Sequence, residues 1–368
     1  MKQAETPPGS VDHESGGPGL WARGGGSVRE SLASAYRGEN SGALILAMLV
    51  IIAVFAVWLR DTNYLSTTNL LGIVRQTAAI TVMAIPTVFV ISSGEIDLSI
   101  ASVVPVAAFV AALLLPGYGF VLATLAALAF GALVGLINGV ITVRFQIPSF
   151  VVTLGMLSIL TGLALRITNV LSIPIADPTF RRVFGEGRVG PVPVLVIWSL
   201  IVAVIGHVIL TYTPSGRAVL ATGANKAAAR FSGIRTNRVK VACLVASGAA
   251  GALAGLLYSG QFGAASYTLG TTDLLTVIAA VIIGGTSLMG GKGSVVGAVV
   301  GSLLIGTLNN GLVIIGLANP EQLMARGLII IAAVMFSART RGGRRSARKA
   351  ATAEDRETNE IESPRGEM

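Results

Sequence analysis

Between Ser41 and Ala338 only seven acidic residues occur: Asp61, Glu95, Asp97, Asp177, Glu186, Asp273 and Glu321. Two of them share one short polar run, Ser92-Ser93-Gly94-Glu95-Ile96-Asp97-Leu98-Ser99, bracketed by apolar stretches. Carboxylates and hydroxyls at that spacing fit two roles. In one, Asp97 or Ser99 caps the helix that follows by accepting hydrogen bonds from its free N–H groups. In the other, Gly94, Glu95, Asp97 and Ser99 form a helix break lining a solute path, where water reaches the polar groups. The two roles are compatible. Asn138, Asn309 and Asn310, in the similar runs Leu136-Ile137-Asn138-Gly139 and Leu308-Asn309-Asn310-Gly311, are further candidates for the path or a helix break.

Other chemistries fail on spacing. The run from Gly284 to Ser294 has the look of a phosphate-binding loop, which requires Gly, four residues, then Gly-Lys-Ser/Thr. Here Thr286 stands where the first Gly is needed and Gly293 follows Lys292, so no ATPase site is expected. A Gly-rich turn between two helices is the better reading. His13 and His207 are the only histidines, far apart in the chain, and neither a metal cluster nor a Ser/His/Asp set can be assembled. The single cysteine, Cys243, lies in an apolar run and reads as a small core residue. No cofactor and no catalytic residue is expected.

The elements that must position these residues are membrane helices. Of 368 residues, 53% are hydrophobic and 12% charged, about half the charge of a typical soluble domain. The charge is also concentrated at the ends: residues 41–338 carry only 15 basic and 7 acidic side chains. A chain so poor in charge cannot cover a globule with polar surface. It reads as an all-α, polytopic bundle of about ten helices, since a crossing takes about 20 apolar residues. The spans are expected at about 43–59, 70–91, 100–115, 119–143, 148–166, 192–212, 239–263, 274–290, 294–317 and 322–337. The 274–317 stretch is open to a second reading, a re-entrant hairpin. Residues 1–40 read as a disordered N-terminal tail, 41–338 as the transmembrane domain and 339–368 as a charged C-terminal tail. Glycines repeat every four residues (Gly131, Gly135, Gly139; Gly251, Gly255; Gly297, Gly301), the spacing that lets helices approach closely in lipid.

Positive charge orients the bundle. With the N-terminus in the cytoplasm, 20 Lys and Arg fall inside and 5 outside, while Arg75 and Arg326 lie within spans. Both termini are therefore expected in the cytoplasm. The formal net charge of +9 comes from scattered connectors and the C-terminal tail. Without aromatic interleaving it builds no nucleic-acid face.

The longest connector on that cytoplasmic side, 213–238, has an Ala-rich centre that favours helix and Gly233 as a stop. A short helix between two spans anchors poorly in lipid and suits docking of a soluble partner. Its run Gly223-Ala224-Asn225-Lys226-Ala227-Ala228-Ala229-Arg230-Phe231-Ser232-Gly233-Ile234 resembles the ATPase-docking loop of ABC importer permeases. The core as a whole, about 45–336, resembles the ribose/xylose/arabinose/galactoside permease family within the branched binding-protein-dependent transport superfamily. The stretches Gly94–Ser99, Ile147–Met156 and Ala279–Gly311 carry that likeness beside the loop. The resemblance implies a permease that pairs with a second copy or a paralogue. It also implies a cytoplasmic ABC ATPase, an extracytoplasmic solute-binding protein and a monosaccharide or similar small polar solute. On this likeness Gly223, Asn225, Ala228, Ala229, Arg230, Ser232 and Gly233 belong to the ATPase-coupling loop. Ala227 departs from it, since the family usually carries Glu there. Two other classes compete: an ion-coupled secondary transporter, which would need intramembrane acids beyond those near Gly94, and a membrane receptor or scaffold docking a partner through 213–238.

Overall fold

The computed structural model describes residues 41–318, 320–325, 327, 328 and 331. The tails, Arg326 and most of the span expected at 322–337 lie outside the described residues. Helices dominate. The chain runs through α1 (Ser41–Trp58), α2 (Thr67–Ser92), α3 (Ile100–Phe145) and α4 (Ser149–Thr168). An outer connector follows, with β1 (Ile173–Pro174), α5 (Pro178–Arg181), a π-turn at Arg182–Glu186, β2 (Arg188–Val189) and β3 (Val192–Pro193). Beyond it come α6 (Val194–Tyr212), α7 (Pro214–Ala224), α8 (Lys226–Phe231), α9 (Thr236–Phe262), β4 (Ala264–Ala265), α10 (Asp273–Ile283) and α11 (Val295–Ile314).

Among the described residues, six helices are long and apolar enough to cross a membrane: α2, α3, α4, α6, α9 and α11. Apolar side chains such as Leu122, Leu154 and Val204 stay exposed on them, as do Leu46 and Val57 on α1, as lipid contact requires. α3 is two helices in one run. Its 46 residues are interrupted at Gly119, whose φ of 75° and ψ of 175° are open to glycine without strain. Ile100 and Val104 lie against Gly251 and Gly255 of α9, whereas Gly131, Gly135 and Gly139 lie against Gly248, Leu244 and Val241. The first half thus runs parallel to α9 and the second half antiparallel to it. The chain turns back on itself at Gly119, close to the break expected between 115 and 119. The glycine rows do the work their spacing predicts, since side chains at Gly131, Gly135 and Gly139 would strike α9 backbone and side chains at Gly251 and Gly255 would strike α3 backbone.

The expected span at 274–290 is shorter than a crossing. α10 has 11 residues, about 16 Å of helix. The chain then continues without helix through Gly284–Ser294, where Gly285, Gly290 and Gly291 all take positive φ. Gly284 packs on Gly297, and Ala280 on Gly301, so α10 and α11 form an antiparallel pair.

The outer connector is pinned by rings and strands. Phe184 stacks on Trp198 at 5.6 Å between centroids and touches Phe120, just past the Gly119 turn, at 5.8 Å. Trp198 Nε1 donates to Val183 O at 3.0 Å. β1 pairs antiparallel with β4, tying this connector to the end of α9.

Candidate functional site

Three connectors meet at the opposite end of the bundle. The first is 93–99, between α2 and α3. Asp97 is 3% exposed, and its Oδ1 accepts from Ser99 N at 2.9 Å and Ser99 Oγ at 2.6 Å. Asn138 Nδ2, reaching across from the second half of α3, donates to Ser99 Oγ at 2.9 Å. Ser247 of α9 also approaches the carboxylate. Asp97, Ser99 and Asn138 therefore form one buried network at the start of α3. The carboxylate satisfies a free N–H there, while Ser99 makes no capping bond of its own. The loop is held from α4 as well: Ser149 Oγ accepts from Ile96 N at 2.9 Å and Thr153 Oγ1 from Leu98 N at 3.0 Å.

Glu95 pairs with Lys240 at the start of α9, with the two side chains 8% and 13% exposed. Residue spacing gave no hint of this contact, because 145 positions separate the partners. Gly94 is exposed, with φ +84°, and faces Gly223.

The second connector is the pair α7–α8. Thr213 caps α7, accepting from Gly216 N, with Pro214 in the first turn. Asn225 caps α8, its Oδ1 accepting from Ala227 N and Ala228 N at 3.0 and 3.1 Å. Ala229 is buried under α8, while Ala227, Ala228, Arg230, Phe231, Ser232 and Gly233 are exposed. Phe231 is 94% exposed. Gly233 ends the helix at φ +82°, with open space where a Cβ would stand; it serves the turn and meets no neighbour. Arg230 reaches forward, Nε to Thr236 Oγ1 at 3.1 Å and Nη2 to Asn237 Oδ1 at 3.0 Å. Burial, followed by the positive charges of Lys240 and Arg230, pushes the Lys226 ammonium below its usual range.

The third connector is the Gly-rich run 284–294. Gly291 N donates to Ser92 O at 2.9 Å, and Gly290 and Gly291 press on Gly223 and Ala224. Gly223 itself sits against the Ser92 carbonyl with no room for a side chain. The α7–α8 pair is thereby seated directly on both the α2–α3 break and the α10–α11 loop.

Asn309 and Asn310 lie elsewhere. Both sit inside unbroken α11 near its far end, and Asn310 exchanges amide hydrogen bonds with Asn69 of α2 at 2.9 and 3.0 Å. The structure brings Gly94, Glu95, Asp97, Ser99 and Asn138 together, and leaves the asparagine pair as a clasp between α2 and α11.

Sequence reasoning passed over one further polar region. Between α9 and α10 runs Gly263-Ala264-Ala265-Ser266-Tyr267-Thr268-Leu269-Gly270-Thr271-Thr272, rich in hydroxyls, followed at once by Asp273. Tyr258 Oη donates to Asp273 Oδ2. The density of Thr, Ser and Tyr beside a core acid was the available signal.

A bundle of apolar helices long enough to cross a membrane several times defines a multi-pass membrane protein. Comparison with known proteins bears this out. Residues 69–334 match the family described as branched-chain amino acid transport system, permease component, and the chain belongs to that family. It is similar to the ribose import permease protein RbsC of Haemophilus influenzae, 36% identical over 297 residues that cover 79% of this chain and 90% of that protein. RbsC of Bacillus subtilis is 36% identical over 287 residues, 77% of this chain and 89% of the relative. The xylose transport system permease protein XylH of Escherichia coli is 31% identical, over 81% of this chain and 92% of its own length. No solved structure matches the chain.

Proposed function

We propose that the protein is the transmembrane subunit of an ATP-binding-cassette importer and carries a monosaccharide or similar small polar solute. It performs no covalent chemistry of its own: a separate cytoplasmic ATPase supplies the energy, and an extracytoplasmic binding protein delivers the solute. Two copies, or one copy and a paralogue, enclose the path. The relatives named for ribose and xylose support the solute class. One structural observation carries the rest: α7–α8 is exposed on its outer side and seated on Ser92 and Gly291 on its inner side. A force applied to that pair reaches two core connectors through backbone contact rather than through flexible side chains.

In this reading the chain crosses ten times with both tails, 1–40 and 339–368, in the cytoplasm, and 41–338 is the permease domain. α3 supplies two crossings. α10 with its extended tail supplies one, ending at the docking face. The coupling residues are Gly223, Asn225, Ala228, Ala229, Arg230, Ser232 and Gly233, and the path runs past Asp97, Ser99 and Asn138.

The test is co-purification and reconstitution with an ABC ATPase and a solute-binding protein from the same cells. A complex whose ATP hydrolysis rises with sugar-loaded binding protein is expected. A permease that enriches neither protein, or an ATPase indifferent to it, would overturn the proposal.

A further inference from the structure

Beyond β4, Ser266–Thr272 is irregular chain, yet two contacts place its end well inside the bundle. Gly270 packs on Val104, and Val104 packs on Gly255 of α9. Gly255 lies seven residues before Phe262, the last residue of α9, which is about 10 Å of helix. The α10–α11 pairing gives the same depth independently. Ala280 opposite Gly301 and Gly284 opposite Gly297 put Asp273 level with Leu308, six residues or about 9 Å short of the end of α11. The chain leaves α9, pairs with β1 at the surface, and then descends before α10 begins.

Unpaired backbone and polar side chains cannot face lipid at that depth; they are tolerated where they line a water-filled cavity. Thr268, Thr271 and Thr272 are exposed on this segment, and Ser266, Tyr267 and Asp273 half-buried. Beside them lies a cleft of about 350 Å³ between this segment, the first half of α3 and α4, within the size range of small-molecule sites. Its walls include Tyr267, Thr271, Ser102, Thr161 and Leu274. Hydroxyls set among apolar side chains, with an aromatic ring, suit a ligand that presents both hydroxyl and C–H faces. From the cleft a polar track continues inward. Ser102 Oγ donates to Ser99 O at 2.8 Å, one turn above the Asp97–Asn138 network.

We propose that Ser266–Asp273, with Tyr258, Ser102 and Thr161, is the element of the path that contacts the solute, and that it does so through hydroxyl groups of a monosaccharide. Asp273, held by Tyr258, accepts from sugar hydroxyls, and Tyr267 offers a ring face to the pyranose or furanose carbons. This assignment rests on the importer reading above and names the place where that importer touches its cargo.

The test uses the reconstituted full complex, with uptake of D-ribose and of D-xylose measured beside ATP hydrolysis. Tyr267→Ala and Thr271→Val, each removing one contact, are expected to lower sugar taken up per ATP hydrolysed about fivefold, the effect of one lost hydrogen bond. They should also change the ribose-to-xylose ratio. Thr271→Cys in a Cys243→Ala background provides a measurement that does not depend on turnover: an impermeant thiol reagent should reach it, more slowly when sugar-loaded binding protein and a non-hydrolysable ATP analogue hold the complex. Variants with wild-type uptake per ATP and an unchanged sugar ratio would overturn the assignment, as would a Thr271→Cys that never labels. A wild-type complex that hydrolyses ATP on addition of sugar-loaded binding protein, yet accumulates neither sugar, would overturn the importer reading itself.

Discussion

Glu95 and Lys240 show what one buried pair does at the docking end. Neither side chain sees much water, so removing one partner strands a charge, which costs about 3–5 kcal/mol, whereas replacing both with apolar side chains is often neutral. Glu95→Ala and Lys240→Ala are each expected to lower the unfolding temperature of the purified protein in detergent. The double variant Glu95→Met/Lys240→Met should recover most of the loss, and a double as unstable as the singles would refute the pairing. Asp97 makes a different demand. Its Oδ1 takes two hydrogen bonds from Ser99, and Asn can still accept them. Asp97→Asn should keep near-normal expression, while Asp97→Ala loses about 0.5–2 kcal/mol of local stability, seen as faster proteolysis of the 93–99 connector. If sugar uptake falls equally in both at normal expression, the charge itself serves the path.

In the proposed importer the α7–α8 pair would transmit force through an inner face that is backbone on backbone. Gly223→Ala would drive a methyl group into the Ser92 carbonyl, so the pair must shift. Such a variant is expected to retain the ATPase on co-purification but lose most stimulated uptake, measured against hydrolysis in the same vesicles. Gly233 tests the local geometry of the element instead. Its φ of +82° lies where Asn is tolerated and β-branched residues are not. Gly233→Asn should bind the ATPase nearly as wild type does, and Gly233→Val should weaken binding. Equal binding by both would show that the turn is not required. The short helix and its Gly233 stop were legible in the chain, as an Ala-rich stretch with a glycine after it, whereas the Asn225 cap came only with the structure. The seat on Ser92 and Gly291 was not, because its parts come from positions 92, 223 and 291 and carry no mutual spacing.

For the whole molecule, the proposed orientation rests on the distribution of Arg and Lys, and two exposed sites check it. Val189 stands on the connector between α4 and α6, 67% exposed, and Phe231 on the docking pair. In a Cys243→Ala background, Val189→Cys should react with an impermeant thiol reagent in intact cells. Phe231→Cys should react only after permeabilisation. The reverse pattern would invert the topology.

Composition and apolar run length by themselves determined that this is a membrane bundle, because so little charge cannot cover a globule with polar surface and apolar runs of about 20 residues match helices that satisfy their own backbone in lipid. They also placed most helices, and located the turn near Gly119 and the docking connector, since each is signalled by neighbours within a few residues. Four motifs in order carried the family likeness. What only the tertiary structure decided is which polar groups meet. Asn138 joins Asp97 and Ser99 while Asn310 clasps Asn69. α10 stops after 11 residues, where the Gly-rich run begins at Gly284, and the chain before it descends into the bundle instead of staying at the surface. Hydropathy counts residues along one dimension and is blind to depth. Depth was set by glycines on one helix admitting the backbone of another, a contact that exists only once both helices are in place.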